Sequence, residues 1–272
     1  MATDVVTALE HRYVLANGLL MHAYASAGPA DLQTIACPVV LVHGLIVTGQ
    51  YLLPTARILA HTYPVYVPEL PGYGRSGRVK PLLSVAQFAD ALVSWLDAMD
   101  LPRVTLLGNS FGCQIAAEAA MRFPERFDRL ILTGPTVDPD HRSVFDLAWR
   151  LTADVPRERL SIVPLVVRNV FNIGWMRSFR ALPRMARDRI EERLPHIITP
   201  TLIVTGVHDT LAPRAWVEQM VQMIPNARAI IIHRSPHALP YSAPQQLVRV
   251  MQPFLEADMD DLHQDHRVSY QE

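Results

Sequence analysis

A serine, an aspartate and a histidine follow one another along the chain, each directly after a run of apolar residues. Ser110 is central in Gly-Asn-Ser-Phe-Gly, Asp209 ends Gly-Val-His-Asp, and His237 lies in Ser-Pro-His-Ala. A serine hydroxyl is a weak nucleophile until an imidazole takes its proton, and the imidazole needs a carboxylate to hold one tautomer. Ser110, His237 and Asp209 are therefore candidates for a nucleophile, its base and the acid that orients the base.

The glycines around Ser110 predict a sharp turn between a strand and a helix. Residues 104–108 are apolar, as in a strand buried on both faces, and residues 111–123 have a helical pattern. Glycine on either side of the serine allows the two elements to approach closely, so that the serine projects above the sheet. The first amides of the helix then point toward the site where negative charge develops.

Apolar runs and helical patterns alternate along most of the chain. Strands are predicted at residues 38–43, 64–70, 104–108, 130–133, 201–205 and 229–233, after a hairpin of residues 11–16 and 19–26 around Asn17-Gly18. Helices are predicted at residues 49–61, 85–99, 111–123, 213–224 and 244–255. The alternation predicts an α/β fold, with a mostly parallel central sheet of about eight strands covered by helices on both faces.

Residues 138–195 interrupt this alternation, because they contain helical segments and no convincing strand. The stretch is too long for a plain loop and predicts a helical cap inserted after the sixth strand. Residues 1–137 and 196–255 then form the core domain, and residues 256–272 form a polar tail that we expect to be mobile. Four large apolar residues of the cap are predicted substrate contacts: Trp149, Trp175, Met176 and Phe179.

These motifs make the chain similar to the α/β-hydrolase superfamily, in particular to its capped, esterase-like branch with a serine nucleophile. His43-Gly44-Leu45 resembles the family's HG-x turn. Residues 69–76 resemble its D-x-P-G-x-G-x-S turn, with Glu69 in place of the usual aspartate. Asp209, followed four residues later by Pro213, matches the family's G-x-x-D-x-x-x-P sequence.

The resemblance implies hydrolysis of a carboxylic ester, or of a lactone or thioester, through an acyl-enzyme intermediate and without a cofactor. The expected partner is a small to medium hydrophobic ester-like molecule. The backbone N–H groups of Leu45 and Phe111 are expected to form the oxyanion hole. Asp138 is an alternative to Asp209, because some members of the family carry the acid after the sixth strand.

Two other functions stay open. Carbon–carbon bond hydrolases of ring-fission products share an elbow beginning Gly-Asn-Ser, but usually have tryptophan after the catalytic histidine, where this chain has Ala238. A non-hydrolytic protein of this fold is the other alternative, since it can retain the three residues and use its pocket to bind a small molecule. Reaction with a fluorophosphonate probe separates it from an enzyme, because the probe requires an activated serine.

Composition and charge disfavour several other classes of protein. The chain has 272 residues, 50% hydrophobic and 19% charged, and a net charge of −1, which argues against nucleic-acid binding. No apolar run is long enough for a membrane span and no signal peptide is evident, so a cytoplasmic location is expected. His263 and His266 lie in the predicted mobile tail, where a metal site would lack rigid ligands, and no metal site is predicted. The pattern does not specify an oligomeric state.

Overall fold

A central sheet organises the protein, and the described residues contribute nine strands to it. The computed structural model describes residues 8–26, 37–80, 82–173, 175–233, 235–258 and 267–271, and describes only the backbone of residues 173 and 175–179. The strands are β1 (Glu10–Ala16), β2 (Leu19–Ser26), β3 (Val39–Val42), β4 (Val65–Pro68), β5 (Val104–Asn109), β6 (Phe127–Thr133), β7 (Thr201–Gly206), β8 (Ala227–Ile232) and β9 (Val268–Gln271). Their order in the sheet is β1-β2-β4-β3-β5-β6-β7-β8-β9.

Strands β3 to β9 run parallel to one another. Strands β1 and β2 form an antiparallel hairpin at one edge, and β2 pairs with β4 in antiparallel orientation. This arrangement confirms the predicted α/β fold with a mostly parallel sheet. Neighbouring residues of β3 serve opposite faces, because Val40 and Val42 join one hydrophobic cluster while Val39 and Leu41 join the other. Burial on both faces explains why the inner strands are continuously apolar.

Helices cover both faces of the sheet. They are α1 (Leu53–Leu59), α2 (Val85–Ala98), α3 (Phe111–Arg122), α4 (Val144–Asp154), α5 (Ile162–Ile173), α6 (Trp175–Arg187), α7 (Arg214–Met223), α8 (Leu239–Ser242) and α9 (Pro244–Glu256). Helices α2, α3 and α7 contribute to one apolar cluster, and α1, α8 and α9 to the other. Among the described residues, no helix combines the length and apolar character that crossing a membrane requires.

Helices α4, α5 and α6 lie between β6 and β7, in the stretch for which the sequence predicted a cap. The described part of residues 138–195 contains only helices, short 3₁₀ turns and loops. Because β6 and β7 pair directly in the sheet, this stretch leaves and re-enters the core between two neighbouring strands.

The prediction of a mobile polar tail is wrong for its last described residues. Val268–Gln271 form β9, which pairs in parallel with β8 from Ala229 to Ile232. The edge of β8 offers unpaired backbone groups, and pairing with β9 satisfies them. Residues 259–266 of the predicted tail, including His263 and His266, lie outside the described residues.

Candidate active site

Ser110 lies on a strained turn between β5 and α3. Its φ angle is 56°, a value that a residue with a side chain rarely adopts. The turn is held by the Ser110 amide, which donates to the Thr133 carbonyl at 3.0 Å. A Cβ atom at Gly108 would lie 2.6 Å from the carbonyl oxygen of Gly112, and one at Gly112 would collide with the carbonyl of Val42. Both glycines are therefore required by the close packing of strand and helix.

Asn109 and Cys113 stabilise this turn from below. The Asn109 side-chain amide donates to the carbonyl and hydroxyl oxygens of Thr133, both at 3.1 Å. The Cys113 thiol donates to the carbonyl of Gly108 at 3.2 Å and to that of Thr133 at 3.4 Å. Cys113 is fully buried, and burial raises the pKa of its thiol far above the ordinary value. This cysteine is therefore a packing residue and has little thiolate character.

His237 and Asp209 form a buried pair at the ends of β8 and β7. Nδ1 of His237 lies 2.9 Å and 3.0 Å from the two carboxylate oxygens of Asp209. The backbone amides of Leu211 and Ala212 donate to Asp209 Oδ1 at 2.8 Å and 2.9 Å, and the Thr205 hydroxyl donates to Oδ2 at 3.2 Å. These donors fix the carboxylate, which in turn fixes the imidazole tautomer that bears hydrogen on Nδ1.

Burial and charge pairing act against each other in this pair. Burial lowers the pKa of His237, but the Asp209 carboxylate opposes it more strongly, and the pKa rises to about 9. Burial raises the pKa of Asp209, but the His237 imidazolium and the hydrogen bonds to the carboxylate outweigh it, and the pKa is lowered. Asp209 therefore stays ionised and stabilises the positive charge that His237 carries after accepting a proton.

Gly134, just after β6, makes room for the pair. Its φ angle is 54°, and a Cβ atom there would lie 2.9 Å from His237 Nδ1 and 3.0 Å from Asp209 Oδ2. Any side chain at this position would separate the imidazole from the carboxylate.

Ser110 and His237 line the same cavity, of about 330 Å³. The structure has no hydrogen bond between them, and His237 Nε2 is buried without a hydrogen-bond partner among the described residues. Such contacts are often long in the absence of substrate and tighten when it binds. The free Nε2 is the atom that would receive the serine proton.

Of the two expected oxyanion donors, Leu45 follows a glycine that packs against Ser110, and Phe111 directly follows Ser110 in the chain. Gly44, the neighbour of Leu45, packs so closely that a Cβ atom there would lie 3.3 Å from Ser110 Cβ. His43 fixes this turn, because its ring donates from Nδ1 to the Gly44 carbonyl at 2.8 Å and accepts at Nε2 from the Leu70 amide at 3.1 Å. Phe111 is the first residue of α3, so its N–H has no acceptor within the helix.

Asp138 does not contact His237 in this structure. Its carboxylate accepts from the Asp140 amide at 3.0 Å and caps a short 3₁₀ turn. The geometry thus favours Asp209 over Asp138 as the residue that orients His237.

The cavity wall is almost entirely apolar and includes residues of α4, α5 and α6. The lining residues from these helices are Leu151, Thr152, Asp154, Ile162, Val163, Val166, Val167, Leu182 and Met185. Trp149 is not among them. Its side chain is 71% exposed, because α4 turns Leu147 and Leu151 inward and Trp149 falls on the opposite side. The prediction for Trp149 is therefore wrong, and the side chains of Trp175, Met176 and Phe179 lie outside the described residues.

Two carboxyl groups of the cap were missed by the sequence reasoning. Asp154, at the end of α4, accepts a long hydrogen bond of 3.4 Å from the His237 backbone amide. Glu158 accepts from the Ala238 amide at 2.5 Å, and it also bonds the Ser242 hydroxyl. Both carboxyls line the cavity and tie the cap to the loop that carries His237. Their i, i+4 spacing was the only sequence signal, and it equally fits a solvated helix surface.

The environment of Asp154 favours the neutral acid. Burial raises its pKa, His237 opposes this, and the nearby Glu158 and Asp209 raise it further, to about 7. A carboxyl that changes charge near neutral pH thus lies beside the backbone of His237.

The described residues contain no group of three or more His, Cys, Asp or Glu side chains placed to hold a metal ion.

The sequence matches the model of the alpha/beta hydrolase family over residues 39–250. It is 30% identical over 226 residues to polyketide synthase ThaQ of Burkholderia thailandensis, covering 74% of this chain and 11% of that protein. It is 24% identical to the putative carbamate hydrolase RutD of Pseudomonas syringae, covering 87% of this chain and 98% of the relative. It is 34% identical to abhd-5.2 of Caenorhabditis elegans over 36% of this chain and 23% of that protein. The chain therefore spans only a small part of the length of ThaQ and of abhd-5.2.

Solved structures agree on the fold. A membrane phospholipase A superposes with a TM-score of 0.77 at 22% identity, over 92% of this chain and 87% of that one. The enol-lactonase from Burkholderia xenovorans superposes with a TM-score of 0.73 at 18% identity, over 90% of this chain and all of that one. At these identities the likeness shows the fold alone. With the family match over residues 39–250, it establishes that the chain belongs to the alpha/beta hydrolase family.

Proposed function

We propose that this hydrolase cleaves a carboxylic ester, or a lactone or thioester, of a small to medium hydrophobic substrate through an acyl-enzyme intermediate. The observation that carries the proposal is the meeting of three features at one apolar cavity. These are the strained Ser110, the free Nε2 of His237, and the buried carboxylate of Asp209 behind the imidazole.

In the proposed reaction, Ser110 Oγ attacks the carbonyl carbon while His237 Nε2 takes the hydroxyl proton. The negative charge on the carbonyl oxygen is stabilised by the amides of Leu45 and Phe111. The tetrahedral intermediate then expels the alcohol or thiol, which leaves with the proton from His237. A water molecule, activated by the same imidazole, attacks the acyl-enzyme and releases the acid.

The cavity supports the choice of an apolar substrate. Its wall is formed mainly by aliphatic side chains, among them Leu45, Leu151, Ile162 and Val166. Its volume of about 330 Å³ lies at the small end of ligand pockets. Among the polar residues that line it, Asp154 and Glu158 lie on the side of His237, since they accept from the backbone amides of His237 and Ala238.

The names of relatives widen the range of bonds to be tested. One relative is a putative carbamate hydrolase, and another, 23% identical over 80% of this chain, is an (E)-2-((N-methylformamido)methylene)succinate hydrolase from Acinetobacter baylyi. A carbamate differs from an ester in the atom beside the carbonyl, so the same attack by Ser110 applies to it. A carbon–carbon bond hydrolase is the second candidate, and the Gly-Asn-Ser elbow is the observation that favours it.

The test is a turnover screen combined with active-site labelling. The screen covers p-nitrophenyl esters of increasing chain length, lactones, thioesters, carbamates and vinylogous 1,5-diketones. We expect ester turnover and stoichiometric reaction with a fluorophosphonate probe, and we expect Ser110→Ala to lose both, with turnover falling by at least about 10³-fold. Ser143→Ala is the matched control, because Ser143 is exposed and its hydroxyl makes no capping bond.

Other outcomes would redirect the proposal. Turnover of the diketones without that of esters would assign carbon–carbon cleavage. Absence of labelling in the folded protein would indicate a binding protein without an activated serine.

A further inference from the structure

The outer surface of the cap carries an unusual number of exposed apolar side chains. Phe145 is 88% exposed and Leu160 is 84% exposed. We name the exposed large apolar residues of α4, α5 and their connection the cap face: Phe145, Trp149, Val155, Leu160, Val163, Val167 and Phe171. Single exposed apolar residues are ordinary, but a concentration of this kind on two amphipathic helices marks a binding surface.

The cap face adjoins the cavity at three residues. Val155, Val163 and Val167 belong to the cap face and also line the cavity that contains Ser110. At these three residues the apolar outer surface meets the apolar wall of the cavity.

The exposed charged residues among positions 143–173 are all positive. Residues 159–187 contain six arginines and no aspartate or glutamate. Three charged residues between positions 143 and 173 are exposed to solvent: Arg157, Arg159 and Arg168.

The three acidic residues of the same stretch are engaged elsewhere. Asp146 pairs with Arg150 and His141. Asp154 and Glu158 bond the loop that carries His237. Since the whole chain has a net charge of −1, this apolar and positively charged surface is a local feature.

We propose that the cap face binds the surface of an anionic phospholipid membrane. Aromatic and aliphatic side chains enter the boundary between headgroups and acyl chains, while the arginines pair with lipid phosphates. A protein partner seated on the cap face would cover the mouth of the cavity. A lipid surface instead supplies apolar molecules directly to it. This inference concerns binding and does not depend on the reaction proposed above.

The test is co-sedimentation of the full chain with lipid vesicles. We use vesicles of phosphatidylcholine alone and of phosphatidylcholine with an equal part of phosphatidylglycerol, at low and high salt. The Ser110→Ala variant is measured in parallel, so that binding is recorded without turnover. We expect binding to the anionic vesicles, at least about tenfold weaker binding to the neutral ones, and weakening by salt.

Variants locate the surface. Phe145→Ser combined with Phe171→Ser, and Arg159→Gln combined with Arg168→Gln, should each weaken binding by at least about tenfold. Leu15→Ser and Arg103→Gln are matched controls, because both side chains are exposed on parts of the chain remote in sequence from the cap. Trp149 also reports insertion, since its fluorescence should shift to shorter wavelength with vesicles, and Trp149→Phe should lose that shift.

Three results would overturn the inference. The first is the absence of binding to either vesicle. The second is binding that the Leu15 and Arg103 controls weaken as much as the cap variants do. The third is a concentration-dependent dimer that the Phe145 and Phe171 substitutions dissociate without any vesicle binding, since this would assign the cap face to a second copy of the chain.

Discussion

Ser110 holds a positive φ angle that costs conformational energy, and its neighbours compensate by packing and hydrogen bonding. Gly108 and Gly112 allow strand and helix to touch, and Thr133 accepts the Ser110 amide. A turn of this kind can be predicted from sequence, because the residue types that it requires lie within five consecutive positions. The elbow was therefore predicted from these residues together with the strand pattern before them and the helical pattern after them.

The choice of acid is testable by two amide substitutions. Asp209→Asn should lower kcat by about 10⁴-fold, because an amide stabilises the wrong imidazole tautomer, by analogy with the serine-protease triad. Asp138→Asn is the matched comparison and should leave kcat nearly unchanged, since Asp138 caps a 3₁₀ turn and lies 3.9 Å from His141, without a hydrogen bond to His237. Steady-state kinetics on one ester decides between them. If Asp138→Asn lowers kcat strongly while Asp209→Asn does not, the acid is Asp138.

Asp154 should shape the pH dependence of activity. His237 acts as a base only when neutral, so kcat/KM should rise with pH along a limb displaced above the ordinary histidine pKa of 6.5. The ionised Asp154 raises the pKa of His237, and Asp154→Asn removes that charge. The limb should therefore move to lower pH in the variant, both in kcat/KM and in the rate of fluorophosphonate labelling.

The same substitution has an effect on stability with a definite sign. The folded-state pKa of Asp154 is raised from 3.8 to about 7, so the folded protein retains a proton that the unfolded chain has lost. The stability advantage of Asp154→Asn should therefore grow as pH rises from about 4 to 7 and then level off. Denaturant unfolding measures it. Glu192→Gln, at an exposed cap carboxylate, is the control, and an unchanged pH profile in Asp154→Asn would contradict both expectations.

At the scale of elements, the cap helices show where sequence reasoning fails. Their helical character was evident from composition and period, but which side faces the cavity depends on how the helices dock. Helix α4 turns Leu147 and Leu151 inward and leaves Trp149 outside, although Trp149 is the larger apolar residue. The carboxyls of Asp154 and Glu158 point inward because backbone amides of a loop that is distant in sequence donate hydrogen bonds to them.

Helix α5 should set the preference for acyl chain length. Val166 lines the cavity, so Val166→Phe shortens the available space and Val166→Ala extends it. One methylene is worth about 1–3 kcal/mol of discrimination in such a pocket, and the ratio of kcat/KM for long and short esters should change by roughly tenfold or more, in opposite directions. Trp149→Ala should leave the ratio unchanged. If neither Val166 variant alters the ratio, the acyl group binds elsewhere.

At the scale of the whole molecule, the last described residues form β9, which joins the sheet by pairing with β8. Its four residues, Val-Ser-Tyr-Gln, are too short and too polar to show a strand pattern. They pair because β8 presents an edge, and that edge exists only once the other strands have assembled. The inner strands were predictable from local burial, whereas β9 depends on a partner far along the chain. The sequence therefore did not predict which side of each cap helix faces the cavity, nor the pairing of strands that are distant in the chain.

Deletion of residues 267–272 should destabilise the protein and expose an edge strand. The amides of Ala229 and His233 lose their acceptors on Arg267 and Gln271, and Val268 leaves the core. We expect the free energy of unfolding to fall by ~2 kcal/mol and aggregation on heating to increase. Ser269→Ala, which keeps the strand, is the control. A truncated protein as stable as the full chain would mean that β9 contributes nothing to stability.

The buried thiol three residues after Ser110 also has a consequence for oxidation chemistry. Peroxides and electrophiles attack exposed thiolates, and Cys113 is neither exposed nor deprotonated. The turn therefore holds a thiol three residues from Ser110, bonded to the carbonyls of Gly108 and Thr133, without creating a redox-sensitive site. Cys37, the only other cysteine, lies just before β3, at the opposite end of that strand from the turn that faces Ser110. Alkylation of this protein by thiol reagents should accordingly spare the serine chemistry.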